Sequence, residues 1–309
     1  MSGRRTGVVL RDEGSSLTVD LGGEEVSCVL RKSLRKQAGR RRKAVVVGDR
    51  VEVEFSAEGA AICAVAERRT HLSRPDPGDP RREQILVANI DAVLIVASAR
   101  EPDFAPALID RFLVAAEARG LSAAIVLNKI DLDPERRARP TLETYRELGY
   151  PMVETSVRTA EGLDQVRALL AQRTTTMVGH SGVGKSSLAN SLDESLRLRT
   201  GEVHGASGRG THTTTTVSLL RLPWGGYLVD TPGIREFGLW GLAPGDLGPC
   251  FPEIARHQPG CRFNDCLHES EPGCAVKEAL SRGEIAGWRF DSYRKLLAAL
   301  REERSAQDG

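Results

Sequence analysis

The chain has 309 residues, of which 40% are hydrophobic and 28% are charged. This composition is typical of folded globular proteins and excludes a fibrous or largely disordered chain. Lys and Arg total 43 against 42 for Asp and Glu, a net charge of +1, which excludes a protein that coats nucleic acid with its whole surface. The longest uninterrupted apolar run, Ala60–Ala66, has seven residues. A membrane span needs about 20, so we expect a cytoplasmic protein without membrane contact.

The first 70 residues predict a small all-β domain. Short Val-rich or alternating runs are separated by glycines, a pattern that favours short strands joined by tight turns. Five strands within this length suit a closed barrel of the OB-fold type, which often binds nucleic acid. The predicted strands are Thr6–Leu10, Ser16–Asp20, Glu25–Leu30, Arg50–Phe55 and Ala61–Ala66.

A basic segment, Arg31–Lys43, lies between the third and fourth predicted strands. It holds eight Lys or Arg and no acidic residue, so the remaining chain is acidic on balance. One interpretation is a solvated loop, and the other is a contact with an anionic partner at one place. Phe55 is the single aromatic residue of this domain. Binding there would therefore depend on phosphate charge and not on base stacking.

A Pro-rich segment, Arg74–Pro80, follows the predicted barrel. Proline lacks a backbone N–H group and breaks regular hydrogen bonding. We therefore expect a linker that continues neither helix nor sheet, and we place a domain boundary near it.

From about residue 85 the chain alternates between predicted strands and helices, which favours a mostly parallel sheet covered by helices. A hairpin of two further strands, Val217–Leu222 and Tyr227–Asp230, is joined by the turn Pro223–Gly226. Short helices follow Phe237, and the last predicted helix is Trp288–Glu303. The alternating strands are Asp91–Ala97, Ala123–Leu127, Met152–Thr155 and Thr174–Val178, and the helices are Ala105–Arg119, Pro134–Leu148, Leu163–Gln172 and one that starts at Lys185.

The sequence GHSGVGKS, residues 179–186, matches the P-loop pattern GxxxxGK[ST]. Its glycines let backbone N–H groups surround a phosphate, and the following helix adds the positive end of its dipole. Lys185 would reach the β- and γ-phosphates, and the Ser186 hydroxyl would ligate Mg²⁺. The predicted phosphate-binding residues are Gly179, His180, Ser181, Gly182, Val183, Gly184, Lys185, Ser186 and Ser187.

The sequence NKID follows directly on a predicted strand and matches the NKxD element that reads guanine in GTPases. An Asp carboxylate accepts hydrogen bonds from both N1–H and the 2-amino group of guanine. Adenine lacks the 2-amino group and presents an acceptor at N1. Hydrogen bonds to a charged acceptor contribute roughly 1.5–3 kcal/mol each, so Asp131 predicts a preference for guanine. The four residues are Asn128, Lys129, Ile130 and Asp131, at a strand end where ligands of α/β proteins bind.

Three further segments complete a predicted nucleotide site. Thr155 and Ser156 would contact the guanine O6 through their backbone N–H groups. The sequence DTPG matches DxxG, in which Asp230 would reach Mg²⁺ through water and the Gly233 N–H would reach the γ-phosphate. The Thr-rich segment 208–216 is either the start of a strand or a switch loop whose Thr ligates Mg²⁺ only when the γ-phosphate is present.

Three cysteines and one histidine lie within fourteen residues near the C-terminus. They form the Cys₃His set of closed structural zinc sites. Clustered cysteines in a cytosolic chain favour a metal over disulfides, and four protein ligands leave no open position for catalysis. We expect the other cysteines, Cys28, Cys63 and Cys250, to be buried thiols. The predicted zinc ligands are Cys261, Cys266, His268 and Cys274.

The order of these motifs is unusual. Ordinary GTPases run P-loop, switch I, DxxG, NKxD and then an SA-type loop, whereas this chain runs NKID, TS, P-loop, Thr-rich segment and DTPG. The same site is therefore built from a circularly permuted chain. With the leading β-barrel and the trailing Cys/His cluster, this order resembles the RsgA (YjeQ/EngC) family of circularly permuted GTPases over essentially the whole chain.

The resemblance implies a multi-domain protein. An OB-fold RNA-binding domain would occupy residues 1–70, a circularly permuted α/β P-loop GTPase domain 82–236, and a small α-helical zinc-binding domain 237–309. It also implies hydrolysis of GTP to GDP in late maturation of the small (30S) ribosomal subunit, stimulated by the subunit and driving release. Mg²⁺ and one structural Zn²⁺ are the implied metals, and contact of Arg31–Lys43 with 16S rRNA is the implied interaction. We expect a monomer.

The residue that positions the attacking water is not evident. In Ras-like GTPases a Gln just after DxxG orients this water, and here that place holds Ile234. An apolar side chain cannot orient water, so we expect slow hydrolysis without a partner. His212 is the nearest candidate, and with Lys185 and Thr214 it makes up the predicted catalytic set.

Two other functions remain open. The protein could be a nucleotide-gated RNA-binding switch or a translation-associated factor in which hydrolysis is incidental, or it could be a P-loop ATPase. Asp131 argues against ATP. Stimulation of GTP turnover by small subunits distinguishes the enzyme from the switch.

Overall fold

The computed structural model describes residues 3–37, 43–57, 59–76, 79–196, 198, 217–230, 239 and 241–308. The chain divides into two compact units. The first comprises Met1–Ala92, Arg167–Met177 and Leu192–Glu236, and the second comprises Val93–Val166, Val178–Ser191 and Phe237–Gly309. The division into three domains made from the sequence stays a prediction.

The described strands and helices follow the predicted alternation closely. The strands are β1 (Arg4–Asp12), β2 (Leu17–Asp20), β3 (Glu25–Leu30), β4 (Arg50–Ser56), β5 (Gly59–Val65), β6 (His71–Asp76), β7 (Asp79–Ala88), β8 (Ala92–Ser98), β9 (Ser122–Asn128), β10 (Met152–Glu154), β11 (Thr174–Val178), β12 (Ser218–Arg221) and β13 (Tyr227–Asp230). The helices are α1 (Lys32–Gln37), α2 (Pro106–Glu117), α3 (Arg139–Glu147), α4 (Leu163–Leu170), α5 (Lys185–Leu192), α6 (Pro252–His257), α7 (Ala275–Ser281) and α8 (Gly287–Asp308).

The first five strands form a closed barrel in the first unit. Their order is β1-β2-β3-β5-β4, and β4 pairs back onto β1. β3 and β5 run parallel, and the other neighbours are antiparallel. Because successive side chains point to opposite faces of a strand, alternate residues fill the interior. This core includes the buried side chains Val9, Val19, Cys28, Val53 and Ile62. The predicted OB-like barrel is confirmed.

The basic segment between β3 and β4 is helical where it begins, and the interpretation as a loop is wrong there. α1 contains one apolar residue, Leu34, which packs against the barrel core. The sequence of this segment has no helical repeat of apolar residues. So short a helix is stabilised by its packing, which a sequence pattern does not show. Arg31 pairs with Glu54 of the barrel at 3.2 Å, and residues 38–42 lie outside the described residues.

The segment Arg74–Pro80, which the sequence predicts to be a linker, is mostly β-strand in the structure. β6 and β7 pair antiparallel in a separate two-stranded sheet. Proline is tolerated in a strand at a sheet edge or at a bulge. Pro75 lies opposite Glu83, beside a shift of register. Pro75 and Pro80 therefore lie within the strands of the ribbon and do not break them.

The remaining strands of the first unit extend from the barrel. β13 pairs in parallel with β11 and antiparallel with β12, which confirms the predicted hairpin. β12 also pairs with β1, at Arg11 opposite Ser218. The Tyr227 hydroxyl donates a hydrogen bond to the buried Asp20 carboxylate at 2.7 Å, so the hairpin is joined to the barrel by backbone and side chains.

In the second unit, β9 lies between β8 and β10 and pairs in parallel with β10. β8 is buried along its whole length, as the apolar run of its sequence predicts for an inner strand. The helix predicted to start at Pro134 begins instead at Arg139, with Pro140 in its first turn. Proline is tolerated in the first turn but breaks a helix interior, so Pro140 determines where α3 starts.

A buried ion cluster ties the C-terminal helices to the rest of the second unit. Arg289 of α8 donates to the carboxylates of Glu253 on α6, at 2.6 Å, and of Asp110 on α2. The Tyr145 hydroxyl of α3 donates to Asp110 at 2.6 Å. All four side chains are buried, and the Arg289 guanidinium also lies 4.5 Å from the centre of the Phe251 ring.

Among the described residues, no helix combines the length and apolar character that crossing a bilayer requires.

Candidate nucleotide site and metal centre

The P-loop segment runs from the end of β11 into α5, and two of its glycines are required by geometry. Gly179 and Gly184 have φ angles of +148° and +93°, which side chains rarely adopt. A Cβ at Gly179 would lie 2.1 Å from the carbonyl oxygen of Val96, and one at Gly184 would lie 2.6 Å from Asn128 Nδ2. Glycine therefore lets the loop pack directly against the ends of β8 and β9.

Lys185 points back into its own loop. Its Nζ donates to the carbonyl oxygens of Gly179 at 2.7 Å and His180 at 2.9 Å. Burial lowers the pKa of its ammonium group. Ser186 follows it in the first turn of α5 and is half-buried. The ammonium group is thus held at the loop by two carbonyl oxygens, in a position from which it can reach a phosphate group.

The NKID segment is fastened to the P-loop. Asn128, buried at the end of β9, donates from Nδ2 to the Val183 carbonyl at 2.9 Å. Lys129 has a left-handed backbone, φ +61°, and its Nζ donates to the Glu101 carbonyl. The structure therefore brings together two motifs that lie 55 residues apart in sequence.

Asp131 is held by two donors from one segment. The Ser156 hydroxyl donates to its Oδ1 at 2.6 Å, and Arg158 Nε donates to its Oδ2 at 2.7 Å. The hydrogen bond from Ser156, together with the cation of Arg158, holds the pKa of the Asp131 carboxyl below its ordinary value. Asp131 is consequently ionised and oriented at neutral pH. Sequence reasoning missed Arg158, because no motif marks it.

The predicted role of the backbone at Thr155 and Ser156 needs correction. The Thr155 N–H donates to the Leu127 carbonyl at 2.8 Å, and the Ser156 N–H donates to the Glu161 carbonyl at 3.1 Å. Both groups are already used within the fold, so neither is available for the guanine O6. The observed contribution of this segment is the Ser156 hydroxyl on Asp131.

The other predicted residues of the nucleotide site are less fully described. Asp230 ends β13 in the first unit, and burial raises the pKa of its carboxyl. Gly233, His212 and Thr214 lie outside the described residues. Their roles stay predictions.

The four predicted zinc ligands converge. Their ligand atoms all lie within 4.8 Å of one another. His268 Nδ1 is 3.4 Å from Cys274 Sγ and 3.7 Å from Cys261 Sγ, so this nitrogen faces the thiols. Cys261 is half-buried, and Cys266, His268 and Cys274 are buried. Three thiols and one imidazole are the donor set of a closed zinc site.

The loop that carries His268 is shaped independently of a metal. The Glu271 carboxylate accepts the backbone N–H groups of Leu267, Glu269 and Ser270 at 2.8–3.0 Å. These bonds hold the pKa of the Glu271 carboxyl below its ordinary value, although its partial burial acts in the opposite direction. The turn that presents His268 is therefore preformed.

The surroundings of His268 also fit a bound metal. When Nδ1 binds a metal, Nε2 carries the ring proton and needs an acceptor. Within the described part of the chain, His268 Nε2 and Gln258 Oε1 are both buried without a hydrogen-bond partner. A Cβ at Gly248 would lie 3.5 Å from the first atom and 2.8 Å from the second. The His268 Nε2 donor and the Gln258 Oε1 acceptor thus border the same small space. These surroundings fit a zinc ion held by three thiolates and His268 Nδ1.

Known proteins resemble this chain along nearly its whole length. The protein named small ribosomal subunit biogenesis GTPase RsgA from Gemmatimonas aurantiaca is 43% identical, over 96% of this chain and 97% of its own. The protein of the same name from Chlorobaculum tepidum is 42% identical, over 96% of this chain and 98% of its own.

Solved structures agree. The crystal structure of YjeQ from Thermotoga maritima superposes with a TM-score of 0.81 at 37% identity, over 96% of this chain and 99% of its own. YloQ, described as a circularly permuted GTPase, superposes with a TM-score of 0.77 at 28% identity, over 97% of this chain and 96% of its own. The profile of the family described as RsgA GTPase matches residues 65–240. The chain therefore belongs to the RsgA GTPase family.

Proposed function

We propose that this protein binds the small ribosomal subunit late in its maturation, hydrolyses GTP to GDP and phosphate in response, and leaves the subunit as a consequence. The observation that carries the proposal is that one unit holds the P-loop together with Asn128 and Asp131. Guanine recognition and phosphate binding then share a site. The names of the relatives, which state small ribosomal subunit biogenesis, support the choice of partner.

In the proposed site, Asp131 accepts hydrogen bonds from guanine, Asn128 holds the base pocket against the P-loop, and Lys129 is bonded to the Glu101 carbonyl. The P-loop backbone and Lys185 would bind the phosphates, and Ser186 would hold Mg²⁺, which would supply charge neutralisation at the phosphates. By their motif, Asp230 would serve Mg²⁺ and Gly233 would serve the γ-phosphate. His212 and Thr214 remain the candidates for positioning water and for sensing the γ-phosphate.

The barrel is the proposed contact with 16S rRNA. Its segment Arg31–Lys43 concentrates positive charge on a chain of net charge +1, and phosphate contacts of Lys and Arg need no aromatic platform. Binding of this kind weakens steeply with salt, which suits a factor that must leave. We further propose that the protein acts in the cytoplasm, where subunits mature, and that it is a monomer.

The Cys₃His cluster is the proposed site of one structural Zn²⁺. Four protein ligands saturate a tetrahedral ion. The ion would crosslink the loop that ends at α7, whose Leu267 carbonyl accepts the Tyr293 hydroxyl of α8, and so stabilise the C-terminal part of the second unit.

Stimulation by the partner tests the proposed function. Because Ile234 cannot orient water, we expect slow GTP hydrolysis by the isolated protein and at least about a tenfold rise in kcat with purified 30S subunits. Phosphate release measured with and without subunits checks this, and 50S subunits are the matched control. Equal turnover with both would contradict it and favour a nucleotide-gated binding switch.

The base assignment predicts a change of nucleotide. Asp131→Asn loses a charged acceptor for the 2-amino group of guanine, so we expect the Kd for GDP to rise about 30-fold. The new amide can donate to the 2-oxo group of xanthine, so binding of xanthosine diphosphate should improve. Calorimetry with both nucleotides measures this, with the exposed Asp291→Asn as control. Unchanged GDP affinity would refute the assignment.

A further inference from the structure

The contacts of Asp131 reach both oxygens of its carboxylate. An ionised carboxylate has about four acceptor positions on two oxygens. Ser156 occupies one position on Oδ1 and Arg158 one on Oδ2. The backbone N–H of Asp131 also hydrogen-bonds the carboxylate. Guanine offers two donors on this edge, N1–H and the 2-amino group, and each oxygen must face one of them for both to be accepted.

The two holders of the carboxylate are themselves fixed differently. The Ser156 hydroxyl also accepts the Thr159 N–H at 3.2 Å, and Ser156 is buried. Its orientation is therefore set by the fold. The Arg158 side chain is 71% exposed, whereas that of Asp131 is 11% exposed. Arg158 thus reaches from the surface to the rim of the base site.

We infer that Arg158 is a specificity-determining residue, which fixes the plane of the Asp131 carboxylate so that both oxygens face the two guanine donors. With Ser156 alone, the carboxylate is held at one oxygen and can turn about that bond. A turned carboxylate still accepts one hydrogen bond but loses the second. Arg158 therefore contributes more to binding a base with two donors than to a base with one. The inference rests on the proposed function, which assigns Asp131 to guanine.

Inosine diphosphate is the probe for this difference, because hypoxanthine keeps N1–H and lacks the 2-amino group. For Arg158→Ala we expect the Kd for GDP to rise about fivefold and that for inosine diphosphate less than about twofold, as one charge-assisted hydrogen bond is at stake. Arg158→Lys, which keeps the charge, should recover part of the loss. Arg137→Ala removes an equally exposed arginine that pairs with Glu135 and should change neither Kd.

The outcomes distinguish a failure of the role inferred for Arg158 from a failure of the proposed guanine site. A drop in the GDP preference over inosine diphosphate in Arg158→Ala supports the inference. If both nucleotides weaken equally, or neither weakens, while Asp131→Asn still loses GDP, the inference is overturned and the base site stands. If Asp131→Asn also binds GDP normally, the proposed base site itself fails.

Discussion

Lys185→Ala is expected to lower kcat for GTP hydrolysis at least about a thousandfold, the scale seen when one preorganised charge is removed from a transition state. The Lys185 ammonium lies within the loop, bonded to the carbonyls of Gly179 and His180. It is thereby poised to exchange those neutral acceptors for phosphate oxygens, which attract it more strongly. Charge builds up on these oxygens during phosphoryl transfer, so its loss affects the rate more than binding.

Single-turnover phosphate release in the presence of 30S subunits measures this effect, because the isolated protein is expected to be slow. Lys277→Ala removes an exposed lysine of α7 and serves as the control for a change of charge. GDP affinity and the thermal unfolding curve are recorded for both variants, so that misfolding is recognised. Turnover within tenfold of the unchanged protein would contradict the role of Lys185.

The parts of the site that could be predicted are those written in consecutive residues. GHSGVGKS and NKID need only a strand before them and a short-range turn, and the alternation of apolar strands with helices gave the fold class. The two motifs are expected to lie close together because each follows the end of a strand in an α/β domain. The hydrogen bond between Asn128 and Val183 agrees with that expectation.

What could not be predicted depends on side chains that meet at long range or on competing local bonds. Arg289 meets Asp110 across 179 residues, and nothing in the sequence pairs them. The Ser156 N–H was expected to face guanine, but its choice of the Glu161 carbonyl depends on how the chain returns after β10. The helical start of the basic segment depends on Leu34 finding the barrel core, which patterning does not reveal.

Loss of zinc is expected to have the largest effect on stability. Cys274→Ser removes a buried ligand from a cluster whose loop packs on α8, where the Tyr293 hydroxyl donates to the Leu267 carbonyl at 2.9 Å. Without the ion, the two remaining thiols and the buried imidazole lose their common partner, and metal binding is folding free energy in such sites. We expect the zinc content to fall from one per chain to near zero, and the Tm to fall by roughly 10 °C.

Zinc content by mass spectrometry and calorimetric unfolding, each with and without a chelator, measure these changes on the full chain. Cys63→Ser is the matched control, because Cys63 lies in β5 of the barrel, away from the cluster in sequence and outside its four ligands. It should keep one zinc per chain and its sensitivity to chelator, whereas Cys274→Ser should be insensitive because its ion is already lost. A Cys274→Ser protein with full zinc content and unchanged unfolding would contradict the proposed ligand set, since a tetrahedral site cannot lose a thiolate without cost.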